Sequence, residues 1–302
     1  MDKNFYNASS AKSLGWDASW FGEKYYDDRL VRAIKKYQKE HGLKADGLCG
    51  STTYRVIYTE RQSKIDTKPK HADNNYSEFI VFNNELTGIE WDKVVLWTDS
   101  GGLKAKEGTY YDYSGRPKRS VRYFVNHWDA CLSSHSCQTV LNDRGISVHF
   151  LIDNDGTIYQ TMDMQHAAWH AGSERTNRPS IGVEITNAYY LKYQSTYVKK
   201  GFGERPIIKG ARVHLGELEP FLGFYPVQLE ALKALWKAVN KATGIPLQTP
   251  LNQFGNTSTV YEQDYAYGKA EGFVSHYHVN KSKIDCAGLD IKKLIEEIKI
   301  KG

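Results

Sequence analysis

Cysteine and proline are scarce, with four and eight residues among 302. Four cysteines in a chain this long do not make a disulfide scaffold, so they are read as metal ligands or buried thiols. The prolines and the 25 glycines show no period, which excludes a fibrous repeat. Long hydrophobic runs are also missing. Val94-Val95-Leu96-Trp97 is among the longest, far short of the ~20 residues that cross a bilayer, so no integral membrane association is expected. Met1 to Asn7 holds no apolar stretch, which sets the expectation of a chain without a secretory signal, made in a cytosol. An excess of one charge is slight: 40 Lys+Arg against 35 Asp+Glu, a net +5. Arg29, Arg32, Lys35, Lys36 and Lys39 have acids nearby and read as a solvated helix face, so nucleic acid is not an expected partner. A weak attraction to anionic cell-envelope polymers is compatible with this charge. What is there, 40% hydrophobic and 25% charged residues, is the usage of a soluble globular protein with room for two domains.

The patterning divides the chain into a helical module at 1–60, a linker at 61–78 and a mixed α/β region at 79–302. In the first part, Leu30, Ile34, Tyr37 and His41 share one helix face. Asp28 can cap that helix and Gly42 can end it. Asp46-Gly47 signals a turn, and Ser51 can cap a second short helix with Tyr54, Val56 and Ile57. The stretch from Arg61 is polar, with no apolar periodicity. Beyond Phe79, strands are expected at 94–98 and 122–127, and a hairpin at 147–161 around Asn154-Asp155-Gly156. Ile181, Val183 and Ile185 alternate, which puts Glu184 on the opposite face of their strand. Leu229, Leu232, Leu235, Trp236 and Val239 mark an amphipathic helix between Pro226 and Gly244. Residues 189–220 and 248–272 have weak periodicity and read as loop-rich insertions.

Two groups of residues could bind a metal. His127 ends an apolar strand, and His276 and Cys286 stand ten residues apart. Together they would make a three-ligand zinc site with one open position. The rival is the local cluster His127, Cys131, His135 and Cys137, whose first three members could share a helix face and whose four ligands would close a structural zinc site. Cys131 and Cys137 could instead form a short disulfide, or stay as reduced thiols. Spacing alone does not choose among these.

The runs Tyr123-Phe124-Val125-Asn126-His127, Ser147 to Gln160, Ala168-Trp169-His170-Ala171-Gly172 and Ser180-Ile181-Gly182-Val183-Glu184 occur in that order. With His276-Tyr277-His278-Val279 and Asp285-Cys286, they resemble the type 2 zinc N-acetylmuramoyl-L-alanine amidases. That family includes phage lysins, bacterial autolysins and peptidoglycan recognition proteins. The resemblance spans about Val94 to Leu294. It implies a central mixed β-sheet flanked by helices, and hydrolysis of the amide between N-acetylmuramic acid and L-alanine. It implies zinc on His127, His276 and Cys286, with Asp285 the alternative because some members carry Asp at the last position. Cys131 and Cys137 resemble a pair bridged in many recognition proteins and are not carried over as ligands.

Val148 stands where some phage members carry a catalytic Tyr; members without that Tyr carry a Glu, here Glu184, which becomes the expected general base. Lys283 is the expected charge stabiliser, with Lys281 as rival, since the family's usual lysine position is Ile284. His170 and Trp169 are expected to line the substrate groove, a buried packing pair being the alternative. Leu30 to Gln38 with Gly42 to Thr53 resembles the three-helix peptidoglycan-binding domain. The combination implies peptidoglycan as partner and a monomeric phage endolysin, held in the host cytoplasm until lysis releases it to the wall. An autolysin or a wall-recycling amidase are the alternatives, as is a non-catalytic peptidoglycan receptor, against which Cys286 argues.

Overall fold

The computed structural model describes residues 2–50, 52–54, 56–57 and 79–301. The chain forms two compact units, Met1–Lys68 and Pro69–Gly302. Ser51 and the segment read as a linker at 61–78 lie outside the described residues. Among the described residues no helix is long and apolar enough to cross a membrane.

In the first unit, α1 (Lys3–Leu14) is capped by Asp2 and closed by Gly15 in the left-handed conformation. Helix α1 has no apolar stripe, and the sequence pattern did not locate it. Helix α2 (Asp28–Glu40) is capped by Asp27, whose carboxylate accepts from the amides of Arg29 and Leu30. The expected cap, Asp28, instead places its charge in the first turn, where the helix dipole favours it. Leu30 and Ile34 are fully buried with Trp16, Cys49 and Tyr54. Residues 52–54 and 56–57 are helical. The buried Gln38 explains the spacing of the turn motif: its Nε2 lies 3.0 Å from Asp46 Oδ1, Leu48 O and Thr53 Oγ1. Its Oε1 accepts from Gly47 N at 2.8 Å.

The second unit is built on a six-stranded sheet. Its strands are β1 (Val94–Leu96), β2 (Tyr123–Trp128), β3 (Phe150–Ile152), β4 (Ile158–Gln160), β5 (Ser180–Ile185) and β6 (Gly272–Ser275), in spatial order β6-β2-β5-β3-β4-β1. Only β3 and β4 pair antiparallel, turning at Asn154-Asp155-Gly156 with Gly156 at φ +82°; the sheet is mixed, as expected. Helix α3 (Ser134–Arg144) follows β2. Its Cys137 and Leu141 pack with Val95, Leu151 and Tyr159 on one face of the sheet. On the other face lie α4 (Pro226–Thr243) and α5 (Ile291–Lys301). There Leu232, Leu235, Trp236, Val239, Ile291 and Ile295 cover Phe124, Ile181, Val183, Ile185 and Phe273. Pro226 starts α4 and Gly244 ends it, as the sequence implies.

The 189–220 segment carries more structure than a loop: a short helix at Gln194–Lys199, and Ile207–Ile208 paired with Phe221–Leu222. Arg205, 2% exposed, pins it to the sheet. Its guanidinium donates to Thr186 O at 2.9 Å, Gly223 O at 2.9 Å, Gln228 Oε1 at 3.2 Å and Asn154 Oδ1. It lies 4.2 Å from the ring centroids of both Tyr197 and Tyr225. The 248–272 segment holds one bridge, Leu251 to Thr257, and the short helix Gln263–Ala266.

Candidate active site

Parallel pairing brings the site residues to one end of the sheet. In register, Tyr123, Val125 and His127 of β2 oppose Ser180, Gly182 and Glu184 of β5. Residues opposed in a parallel ladder project from the same face, so His127 and Glu184 stand side by side. On the other flank of β2 lies β6, and His276 follows its last residue, Ser275. The loop after that turn returns Asp285, whose carbonyl accepts from Tyr277 N at 3.1 Å.

Three ligand atoms converge. His127 Nδ1 lies 3.0 Å from His276 Nδ1 and 3.1 Å from Asp285 Oδ2, and His276 Nδ1 lies 3.0 Å from that same oxygen. Two imidazole nitrogens and a carboxylate oxygen this close form a donor set able to hold a divalent cation, and they fit zinc. Protonation agrees with that use. Burial, with the neighbouring His276, pushes His127 down to about 4. Burial alone would raise Asp285, but the two histidines hold it well below the usual carboxylate range.

Cys286, expected as the third ligand, is elsewhere. It is fully buried in the core of the α4 face, and burial drives its thiol pKa well above the ordinary value. The physical reason is that consecutive side chains diverge. A thiol packs in an apolar core as a small hydrophobe, whereas a carboxylate there would go unpaired. Asp285 therefore occupies the place read for Cys286. The rival cluster does not form either, because His127 lies within a strand and no helix joins it to Cys131. Cys131 and Cys137 sit with Asp129 as free buried thiols, and the His135 ring packs edge-on against Tyr159.

Glu184 is half-buried beside this set, and its Oε2 is buried without a hydrogen-bond partner. Burial, with the charges of Asp129 and Asp285, raises its pKa well above that of a free glutamate. Lys283 is near enough for its charge to lower both Glu184 and His127. Lys281 is engaged elsewhere, with its ammonium 4.8 Å from the Tyr261 ring centroid. Trp169 is half-buried with its ring edge-on to Tyr111, and its indole N–H is buried without a partner. His170 is buried behind His127. Burial, with the adjacent His127 and His149, lowers its pKa well below the ordinary value.

The sequence reading missed Arg119 and His149. Arg119 donates to the carbonyls of Met164, Arg178 and Ser180, and His149 Nδ1 accepts from Gly182 N at 3.1 Å. His149 lies within a recognised motif, but nothing local distinguished Arg119 from a surface arginine.

A cation-competent donor set beside an unpaired carboxylate defines a hydrolase-type centre at the strand ends of an α/β sheet. Residues 117–286, more than half of the chain, match the profile of N-acetylmuramoyl-L-alanine amidase, and the chain belongs to that family. Residues 12–57 match the profile of a peptidoglycan binding domain. Three similar solved structures illustrate the range. The endolysin amidase LysCS from Clostridium intestinale shares 14% identity over 70% of this chain and 99% of its own, with a TM-score of 0.40. AmpDh3 from Pseudomonas aeruginosa, solved with anhydromuramic pentapeptide, shares 23% over 64% and 66%, with a TM-score of 0.37. Drosophila PGRP-LB, solved with tracheal cytotoxin, shares 16% over 66% and 91%, with a TM-score of 0.36. No curated protein matches the chain.

Proposed function

We propose that this chain is a zinc-dependent amidase that cleaves the bond between N-acetylmuramic acid and L-alanine in intact cell wall, serving as a phage endolysin. The observation that carries the zinc reading is the convergence of His127 Nδ1, His276 Nδ1 and Asp285 Oδ2 within about hydrogen-bond distance of one another. A zinc ion held by those three residues would polarise the scissile carbonyl and bring the pKa of water toward ~7.

The remaining chemistry belongs to side chains. Glu184, with an unpaired buried oxygen, takes a proton from the attacking water and returns it to the leaving amine. Its raised pKa suits the first step, since a carboxyl that holds a proton more tightly accepts it more readily. Lys283 offsets the charge that builds on the carbonyl oxygen. Trp169 and Tyr111 supply an aromatic wall to the groove. The endolysin role is supported by the pairing of a wall-binding unit with an amidase on one chain.

The test is digestion of purified peptidoglycan with and without a chelator, followed by mass analysis of the products. Free stem peptides beginning with L-alanine, lost on chelation and restored by zinc, are expected. Cuts within the glycan or between peptide residues reject the amidase reading, and chelator-resistant cleavage rejects the zinc. External addition to whole host cells with permeabilised outer layers tests the lytic role, and intact cells after wall digestion in vitro count against it.

A further inference from the structure

Both nitrogens of the buried His170 are already engaged. Its Nδ1 lies 2.9 Å from Nε2 of His127, and its Nε2 lies 3.0 Å from Oγ of Ser180. The direction of each proton along this line is set from one end. Ser180 Oγ lies 2.7 Å from the carbonyl of Thr176 and 3.2 Å from that of Asn177. Carbonyls only accept, so the single hydroxyl proton goes to one of them. The Ser180 oxygen must then accept from His170 Nε2–H. A neutral imidazole has one N–H, so His170 Nδ1 carries a lone pair and accepts from His127 Nε2–H. The nitrogen left with a lone pair on His127 is Nδ1, the atom that faces His276 and Asp285.

The backbone is shaped to hold this arrangement. A Cβ on Gly182 would stand 2.5 Å from Nδ1, 2.6 Å from Cε1 and 2.8 Å from Cγ of His170, so the ring rests against bare main chain. Asn177 Oδ1 accepts from the amides of His170 at 3.1 Å and Ala171 at 2.7 Å, which fixes the loop that carries the ring.

We propose that His170 is a positioning residue: seated on Gly182 and oriented by Ser180, it fixes the proton of His127 on Nε2 and so presents Nδ1 to a cation. This rests on the cation site of the preceding section. Metal-binding histidines more often lean on a carboxylate or a carbonyl. A neutral histidine in that place orients without adding negative charge, which leaves Asp285 as the one anion of the donor set.

The test uses the full-length protein and zinc alone as probe. Competition with a chromophoric chelator gives the zinc Kd, and nitrogen NMR of the metal-free protein reads the tautomer of His127. His170→Phe keeps a ring and removes the acceptor. The zinc Kd is expected to rise about 10–100-fold, with His127 leaving the Nε2–H form. His170→Gln, which restores an oxygen acceptor, is expected to recover part of both. An unchanged Kd in the phenylalanine variant overturns the proposal, and so does a weaker Kd with an unchanged tautomer, which would make His170 packing alone. If that variant does not fold, Ser180→Ala takes its place; a smaller shift in both readouts supports the proposal and no shift overturns it. His276→Ala and Asp285→Ala separate the two ideas. Zinc kept at wild-type affinity by these variants rejects the cation site itself; zinc lost by them but kept by His170→Phe rejects only the positioning role.

Discussion

Glu184 sits in register with His127 across β2, on the opposite face of its strand from Ile181, Val183 and Ile185, which pack in the core. Glu184→Gln keeps shape and volume but cannot take a proton at neutral pH. Its kcat on muropeptides is expected to fall by roughly 10²–10⁴-fold, with zinc content and fold unchanged; wild-type turnover would remove Glu184 from the role of base. The ligand set makes a second prediction. Asp285→Ala should lose zinc, while Cys286→Ala should keep it at about one ion per chain and lose stability by roughly 1–3 kcal/mol from an unfilled core position. Atomic absorption on the purified variants distinguishes the two, and metal lost only with Cys286 would restore the family's more usual ligand. Alternation in β5 made the face of Glu184 legible, because period two fixes which side of the sheet a side chain takes. The fold brings the Nδ1 atoms of His127 and His276 to 3.0 Å, and ordered motifs made that pairing legible. The choice between Asp285 and Cys286 was not, since adjacent residues in a loop have no period and the path of the backbone decides which one turns toward the histidines.

The antiparallel turn between β3 and β4 places Asp153 where its Oδ1 accepts from Asn154 N at 2.8 Å and Ser134 N at 3.3 Å. Burial, with the charges of Asp155 and Asp129, nonetheless raises its pKa from 3.8 to about 7. The folded state then holds a proton that the unfolded chain releases near pH 4, so this group lowers stability as pH rises from about 4 to 7. Asp153→Asn keeps the accepting oxygen and removes the titration. Denaturant melts should show the variant gaining on the wild type across that range, and a parallel pH dependence would discard this origin. The insertion at 189–220 depends on Arg205, whose planar fork reaches four acceptors between two tyrosine rings. Lysine cannot reproduce that geometry. Arg205→Lys should cost roughly 3 kcal/mol or more, since hydrogen bonds from a charged group contribute about 1.5–3 kcal/mol each. A midpoint within about 1 kcal/mol of wild type would show the insertion to be held by other contacts. Elements with a strong period were readable: α2, α4, β5 and the Asn154-Asp155-Gly156 hairpin. Helix α1 was not, because its burial comes from Asn7, Ser10 and Ala11 instead of an apolar stripe. The hairpin of Phe79–Phe82 with Glu85–Gly88 was missed despite its signal, Asn83-Asn84, both at positive φ.

Every residue placed in the candidate active site lies in the Pro69–Gly302 unit, while Met1–Lys68 has its own core of Leu30, Ile34, Trp16 and Tyr54. The sequence changes from a helical period to an alternating one near residue 60, close to the division between the two units. Chemistry and attachment to the wall are proposed to reside in different units, the second matching an amidase profile and the first a peptidoglycan-binding one. Peptidoglycan is an insoluble polymer, so a second contact raises the effective concentration of scissile bonds near the site without altering how any one bond is broken. A chain beginning at Pro69 should hydrolyse small soluble muropeptides with kcat/KM within about twofold of the intact protein, since it keeps His127, His276, Asp285, Glu184 and Lys283. On purified wall the same truncation should sediment with the sacculi about a hundredfold less strongly, the low end of what linked binding modules gain. The isolated unit's zinc content and melting behaviour serve as the control for folding. If binding to wall is unchanged while the truncated protein is folded and loaded, attachment resides in the catalytic unit. If activity on soluble fragments collapses instead, the first unit takes part in the reaction, and the division of labour between the two is wrong.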